Sequence, residues 1–155
     1  MKEAPSEVVT LSLKRALGVW AVLAVAMSAN GMLRESVLVR LLGRAAAGVV
    51  SAALGIAIIL TTALRLLAPR RAASASDAAR VSGLWVAATI VFEFAIGRFV
   101  DRKSWRELLE NYAVWRGQLW PLVLLAVALA PFLARSRAAQ LHRVAPATEP
   151  APTAP

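Results

Sequence analysis

Residues 45–64 read AAAGVVSAALGIAIILTTAL, twenty positions between Arg44 and Arg65 without one charged side chain. As a helix rising 1.5 Å per residue, that run is about 30 Å long, the thickness of a bilayer's hydrocarbon core. A soluble helix of this length would carry charges every three or four residues along one face, and here there are none. Working outward, Ala16 to Leu33 forms a second uncharged run, Val81 to Gly97 a third broken only by Glu93, and Gly117 to Ala134 a fourth. The pattern predicts an all-α protein, an integral membrane four-helix bundle with spans at about 16–33, 45–67, 81–100 and 117–134.

The segments between the runs fill in this plan. Residues 1–14 are a polar lead-in. The first loop, Arg34 to Arg44, keeps apolar residues such as Val37 and Leu41 and is expected partly in the interface. Ala47, Ser51 and Gly55 recur every four residues, a small-xxx-small face that permits close helix contact. Pro69, Arg70 and Arg71 end the second helix, and Ala72 to Ala79 are expected to form a small-residue linker. Ser104 with Glu107 makes a capping box, followed by Trp105, Leu108, Leu109, Tyr112 and Trp115 at helical spacing. This predicts a short amphipathic interfacial helix at about 104–115, between the third and fourth spans. From 136 to 155 the chain is expected to be disordered.

Composition narrows the chemistry. The net charge of +9 would point to nucleic acid in a soluble domain. Here the Lys and Arg residues flank apolar runs, where they meet lipid headgroups, so membrane lipids are the expected partner and nucleic acid is not. With no cysteine and a single histidine, His142, the chain has no thiolate metal site, no bis-histidine haem and no His-based triad. Lys14 and Arg15 before an apolar run resemble a secretory leader, but the run is too long, and its helical spacing continues through Asn30 and Arg34. Lys103 and Ser104 do not make a nucleophile pair, since a capping role accounts for the serine. No catalytic residue, metal site or cofactor is expected. Trp115 and Trp120 fit interfacial anchors. With the N-terminus inside, the inner segments hold ten Lys and Arg against eight outside, which favours both termini in the cytoplasm.

Four alternating spans bring the end of the first, the end of the third and the start of the fourth to one side. A polar cluster is expected there: Asn30, Arg34, Glu35, Glu93, Arg98, Tyr112 and Arg116. Glu93 lies between Phe92 and Phe94, well inside its run, where a charge facing lipid would cost at least about 2.5–3.5 kcal/mol. It should therefore face inward, with Arg34 as the expected partner and Arg98 turned outward to Glu35 or Asp101. Two roles follow for Glu93. As half of an ion pair it would lock the first and third helices together; as a titrating acid it would serve a small oligomeric proton- or cation-coupled transporter. The structural role is preferred, in a non-enzymatic protein presenting a surface to another membrane protein or to a second copy of itself.

The stretches Asn30-Gly31-Met32-Leu33-Arg34-Glu35, Phe92-Glu93-Phe94-Ala95-Ile96-Gly97, Leu108-Leu109-Glu110-Asn111-Tyr112 and Arg116-Gly117-Gln118-Leu119-Trp120-Pro121 carry a resemblance. Over about Ala16 to Ala134 the chain resembles uncharacterised small bacterial membrane proteins showing N-G-x-x-R-E, F-E-F-x-x-G, L-L-x-x-Y and R-G-x-L-W-P in that order. The resemblance implies a fold and no activity. Small multidrug-resistance transporters are similar in having four spans and an essential membrane glutamate. Their acid lies in the first helix and this one in the third, so their mechanism does not carry across.

Overall fold

The computed structural model of the protein describes residues 13–67 and 74–144. The expectations for 1–12, for Pro69 to Ala73 and for 145–155 lie outside the described residues. Among the described residues the elements are helical throughout: α1 (Leu13–Leu33), α2 (Val39–Thr62), α3 (Ala75–Ala95), α4 (Trp105–Glu110) and α5 (Trp120–Val144). Three stretches are long and apolar enough to cross a membrane: Leu13–Leu67, Ala75–Val100 and Trp120–Gln140.

The first of these is 55 residues long and folds back on itself. The expected interfacial loop at 34–44 is instead helical up to Leu42, passing through a widened turn at Arg34–Leu38. The reversal falls on one residue, Gly43, with φ 77° and ψ 164°, a conformation that essentially only glycine adopts. Two cross-contacts set the antiparallel register of the arms. Arg15 Nη2 donates to the carbonyl of Leu66 at 2.8 Å, and Asn30 Nδ2 donates to the carbonyl of Ser51 at 2.9 Å. Arg15 thereby supplies a cation and a donor to one of the last described carbonyls of this arm.

The small-residue face of α2 is buried as its spacing predicts. Ala47, Ser51, Gly55 and Ile59 are buried in α2, and Ala63 and Leu67 continue the series in the widened turn that follows. A four-residue step advances about 40° around a 3.6-residue helix, so the buried line winds round α2. Its early members face α1, where a Cβ on Gly55 would come within 2.8 Å of Met27 Cε. Its later members lie where this arm meets α5.

The linker expected at 72–79 is largely helix. Ser74 Oγ accepts from Asp77 N at 3.0 Å, which starts α3 at Ala75. The serine followed three residues on by an aspartate is an N-cap signal hidden among alanines. At the other end α5 begins at Trp120 and runs past Ala134 to Val144, which corrects the disorder expected from 136. Nothing in 135–144 breaks a helix, and Ala138 is buried.

α3 runs parallel to α1: Trp85 Nε1 donates to the carbonyl of Ala16, and Trp20 Nε1 donates to Thr89 Oγ1. α5 returns antiparallel to α3, tied by Ser82 Oγ to the carbonyl of Ala128 at 2.7 Å. The two ends of the molecule differ. Near the start of α1, small side chains such as Ala16, Ala63, Ala130 and Ala134 close around Trp85, which is 0% exposed. Toward the end of α1 the same core opens into a cavity.

Candidate functional site

The cavity measures about 190 Å³ and lies among α1, α2, α3 and α5, under the segment that carries α4. Helical stripes build its walls. Trp20, Leu23 and Met27 come from α1; Trp120, Val123 and Val127 come from α5. α3 contributes Thr89, Phe92 and Glu93, and the widened turn that follows it at Ile96–Val100 contributes Ile96, the i, i+3, i+4 and i+7 positions of one face. Glu93 is thus directed inward, as its position in the run demands.

Its partner is not Arg34. Tyr112 Oη donates to Glu93 Oε2 at 2.7 Å, and no Lys or Arg lies within ion-pair distance of Glu93 among the described residues. Arg34 pairs with its neighbour Glu35 at 3.0 Å in the exposed widened turn. That turn interrupts the spacing that would have placed Arg34 below Asn30 on one face. The other expected members disperse in the same way. Asn30 is buried against α2. Arg98 is exposed and meets neither Glu35 nor Asp101, because Asp101 takes Lys103 at 3.1 Å. Arg116 lies 3.4 Å from Glu110. Of the seven residues expected to cluster, Arg34 and Glu35 meet only as chain neighbours, and only Glu93 and Tyr112 meet across elements.

The segment above the cavity explains why Tyr112 reaches that carboxyl. Ser104 and Glu107 close the capping box at the start of α4, with Ser104 N donating to Glu107 Oε2 at 2.7 Å. α4 is shorter than the helix expected at 104–115, ending at Glu110 before a turn and a tight helical turn at Val114–Arg116. Leu108 sits on Gly97, where a Cβ would collide with its side chain, so glycine lets α4 approach α3. Phe94 lies between Trp105 and Tyr112, with ring centroids 6.0 and 6.1 Å away. These contacts fix the tyrosine ring and aim its hydroxyl.

Several members of the site are absent from the expected cluster: Trp20, Phe92, Thr89, Asn111 and Trp120. Trp20 and Phe92 meet edge to face at 5.9 Å and 86°. Trp120, expected only as an interfacial anchor, packs against the core, and its indole N–H is buried without a hydrogen-bond partner. Trp120 and Glu93 line the same cavity. A signal for part of this set was present: once Glu93 must face inward, Thr89, Ile96 and Gly97, one turn away, must line the same space.

Burial pushes the Tyr112 hydroxyl up to about 12, and its hydrogen bond to Glu93 adds to the shift. Because the folded value lies above the usual tyrosine value near 10, the contribution to stability is complete below pH about 10 and is lost as pH rises through about 12. Tyr112 is the only tyrosine, so tyrosinate absorbance reports it alone. An alkaline titration should give a midpoint near 12, and most of the displacement should survive Glu93→Gln because burial is the larger cause. A midpoint near 10 with the fold intact would place the hydroxyl in water.

Among the described residues no group of three or more His, Cys, Asp or Glu side chains could hold a metal ion. Compared with protein-family models, curated proteins and solved structures, the chain matches none of them.

Proposed function

We propose that the chain is a non-enzymatic protein of the bacterial inner membrane that takes up a proton or a cation on Glu93 inside an intramembrane cavity. α1, α2, α3 and α5 are its four spans, α4 lies at the membrane surface, and an even number of crossings puts both termini on one side, assigned to the cytoplasm by the slight excess of Lys and Arg there. The exposed leucines and valines along these helices, such as Val25 at 72% and Leu41 at 74%, then face lipid tails. Lipid is the first partner.

One observation carries the choice between the two roles of Glu93. Its carboxyl lines a cavity and is held by a neutral hydroxyl, with no cationic side chain pairing it among the described residues. An ion pair that locks helices together would need that cation. An acid in an apolar wall, held by a donor that suits both of its charge states, can gain and lose a proton without unmaking the fold. Such a group suits proton- or cation-coupled exchange.

Infrared spectra of the reconstituted protein across a pH series test this reading. A protonated-carboxyl band that titrates in the wild type and vanishes in Glu93→Gln, with helicity unchanged, is the expected result. If no band depends on Glu93 at any pH at which the fold persists, the site does not exchange protons and the reading fails.

A further inference from the structure

We infer that the cleft between α4 and the tight turn at Val114–Arg116 binds the phosphodiester of an anionic phospholipid, a site apart from Glu93 that rests on the reading that α4 lies at the membrane surface. The cleft measures about 530 Å³ and is lined by Arg106, Leu109 and Glu110 of α4, by Ala113, and by Trp115 and Arg116 of the tight turn. Chain order sets its depth. Arg116 stands four residues before α5 begins at Trp120, so Arg116 and Trp115 lie where a span leaves the headgroup zone, the level at which such side chains anchor membrane helices.

The charges of the cleft fit one phosphodiester. The nearest nitrogens of Arg106 and Arg116 each lie 3.4 Å from the same oxygen, Glu110 Oε1. One carboxylate between two cations leaves a single net positive charge, and a phosphodiester carries a single negative one. At that distance neither contact is as close as the roughly 2.7–2.9 Å of a charge-assisted hydrogen bond, so Glu110 spaces the guanidiniums without consuming their donors. A guanidinium presents those donors in a rigid fork that matches phosphate oxygens. Both side chains are open to such an acceptor, Arg106 at 86% exposure and Arg116 at 57%.

The apolar part of the cleft selects a lipid over a free anion. Leu109 is exposed and Trp115 is 85% exposed, on the same cleft as the arginines. Inorganic phosphate would leave that surface bare, whereas a phospholipid carries its glycerol esters and the head of an acyl chain next to its phosphate and covers it. A zwitterionic lipid fits less well, because its own ammonium already neutralises its phosphate and would meet two guanidiniums.

The test uses the full chain in phosphatidylcholine nanodiscs doped with chain-brominated phosphatidylglycerol or chain-brominated phosphatidylcholine. Quenching of Trp115 is read as the difference between wild type and Trp115→Phe. The glycerol lipid should half-quench Trp115 at a mole fraction about fivefold or more below that of the choline lipid, the factor expected for one net basic charge at the surface. Arg106→Gln combined with Arg116→Gln should abolish the difference, and Arg98→Gln, at an exposed arginine outside the cleft, should leave it. The comparison of the two lipids on the wild type holds even if the double variant fails to fold. Equal quenching by both lipids overturns the site and leaves α4 at the surface; quenching by neither takes away the surface placement as well. A difference that Arg98→Gln removes as fully as the double variant also overturns it, because the attraction is then the field of the whole surface. Displacement of the glycerol lipid by millimolar inorganic phosphate overturns the choice of lipid over free anion. The Glu93 carboxyl band reports on the proton site independently of these outcomes.

Discussion

Trp85→Ala is expected to lower the unfolding free energy by about 3 kcal/mol or more, measured by thermal or denaturant unfolding in detergent. Trp85 is fully buried, and it occupies the end of the structure where the other buried side chains are mostly small. Alanines cannot move in to fill a void of indole size, because their methyls are already fixed by the backbone that carries them. The cavity therefore persists, and the cost of large-to-small substitution grows with the volume left behind. In lipid or detergent the usual transfer contribution shrinks, since the medium is as apolar as the core, but the lost van der Waals contacts remain lost. The indole N–H also bonds the carbonyl of Ala16 at 2.9 Å, joining α1 to α3. Trp85→Phe keeps most of the ring and gives up that bond, so it should cost about 1–2 kcal/mol. A change below about 1 kcal/mol for Trp85→Ala would mean that the tight end is not what holds the helices together.

The same contrast between ends bears on function. A well-packed end has few alternative arrangements, whereas the cavity end is closed by a six-residue helix seated on Gly97 and by one hydrogen bond to Glu93. Where packing is sparse, local opening is cheap. Local opening is thus expected first at the end that holds the acid.

Much of this was legible in the residues. Uncharged runs of eighteen and twenty positions allow little but long apolar helices, and a lone acid at position 93 had to turn inward. The capping box at Ser104 and the four-residue recurrence from Ala47 were equally plain, because each is a local rule with a local cause. The pairing of Glu93 was not. Asn30 and Arg34 are four apart, which on an ideal helix stacks them, yet a widened turn begins at Arg34 and no residue type announces one. Tyr112 reaches Glu93 only because Gly97 admits Leu108 and Phe94 fits between two rings, contacts between segments that periodicity within one segment cannot express. Ser74 and Asp77 were readable as a cap, but the alanines around them looked like linker.

Gly43→Ala and Gly48→Ala, the same substitution five residues apart, are expected to act in opposite directions. At Gly48 the backbone is helical and an added Cβ meets nothing within 4 Å. Alanine there restricts the unfolded chain and suits the helix, so stability should rise by about 0.5–1 kcal/mol. At Gly43 there is equally open space, but φ is 77° with ψ 164°, a region in which a Cβ clashes with its own backbone. The cost of holding a non-glycine residue there is about 1–3 kcal/mol, and the chain can escape it only by moving the reversal. Moving it by even one residue rotates the second arm by about 100° and takes Ser51 and Gly55 away from Asn30 and Met27. Close packing opposes that, since the Gly55 site has no room for a different neighbour. Thermal unfolding of the two variants beside wild type checks this, with a spread of about 1.5–4 kcal/mol expected between them. If both substitutions stabilise, the arms are joined by a continuous helix or a flexible loop, and the antiparallel register set by Arg15 and Asn30 loses its turn.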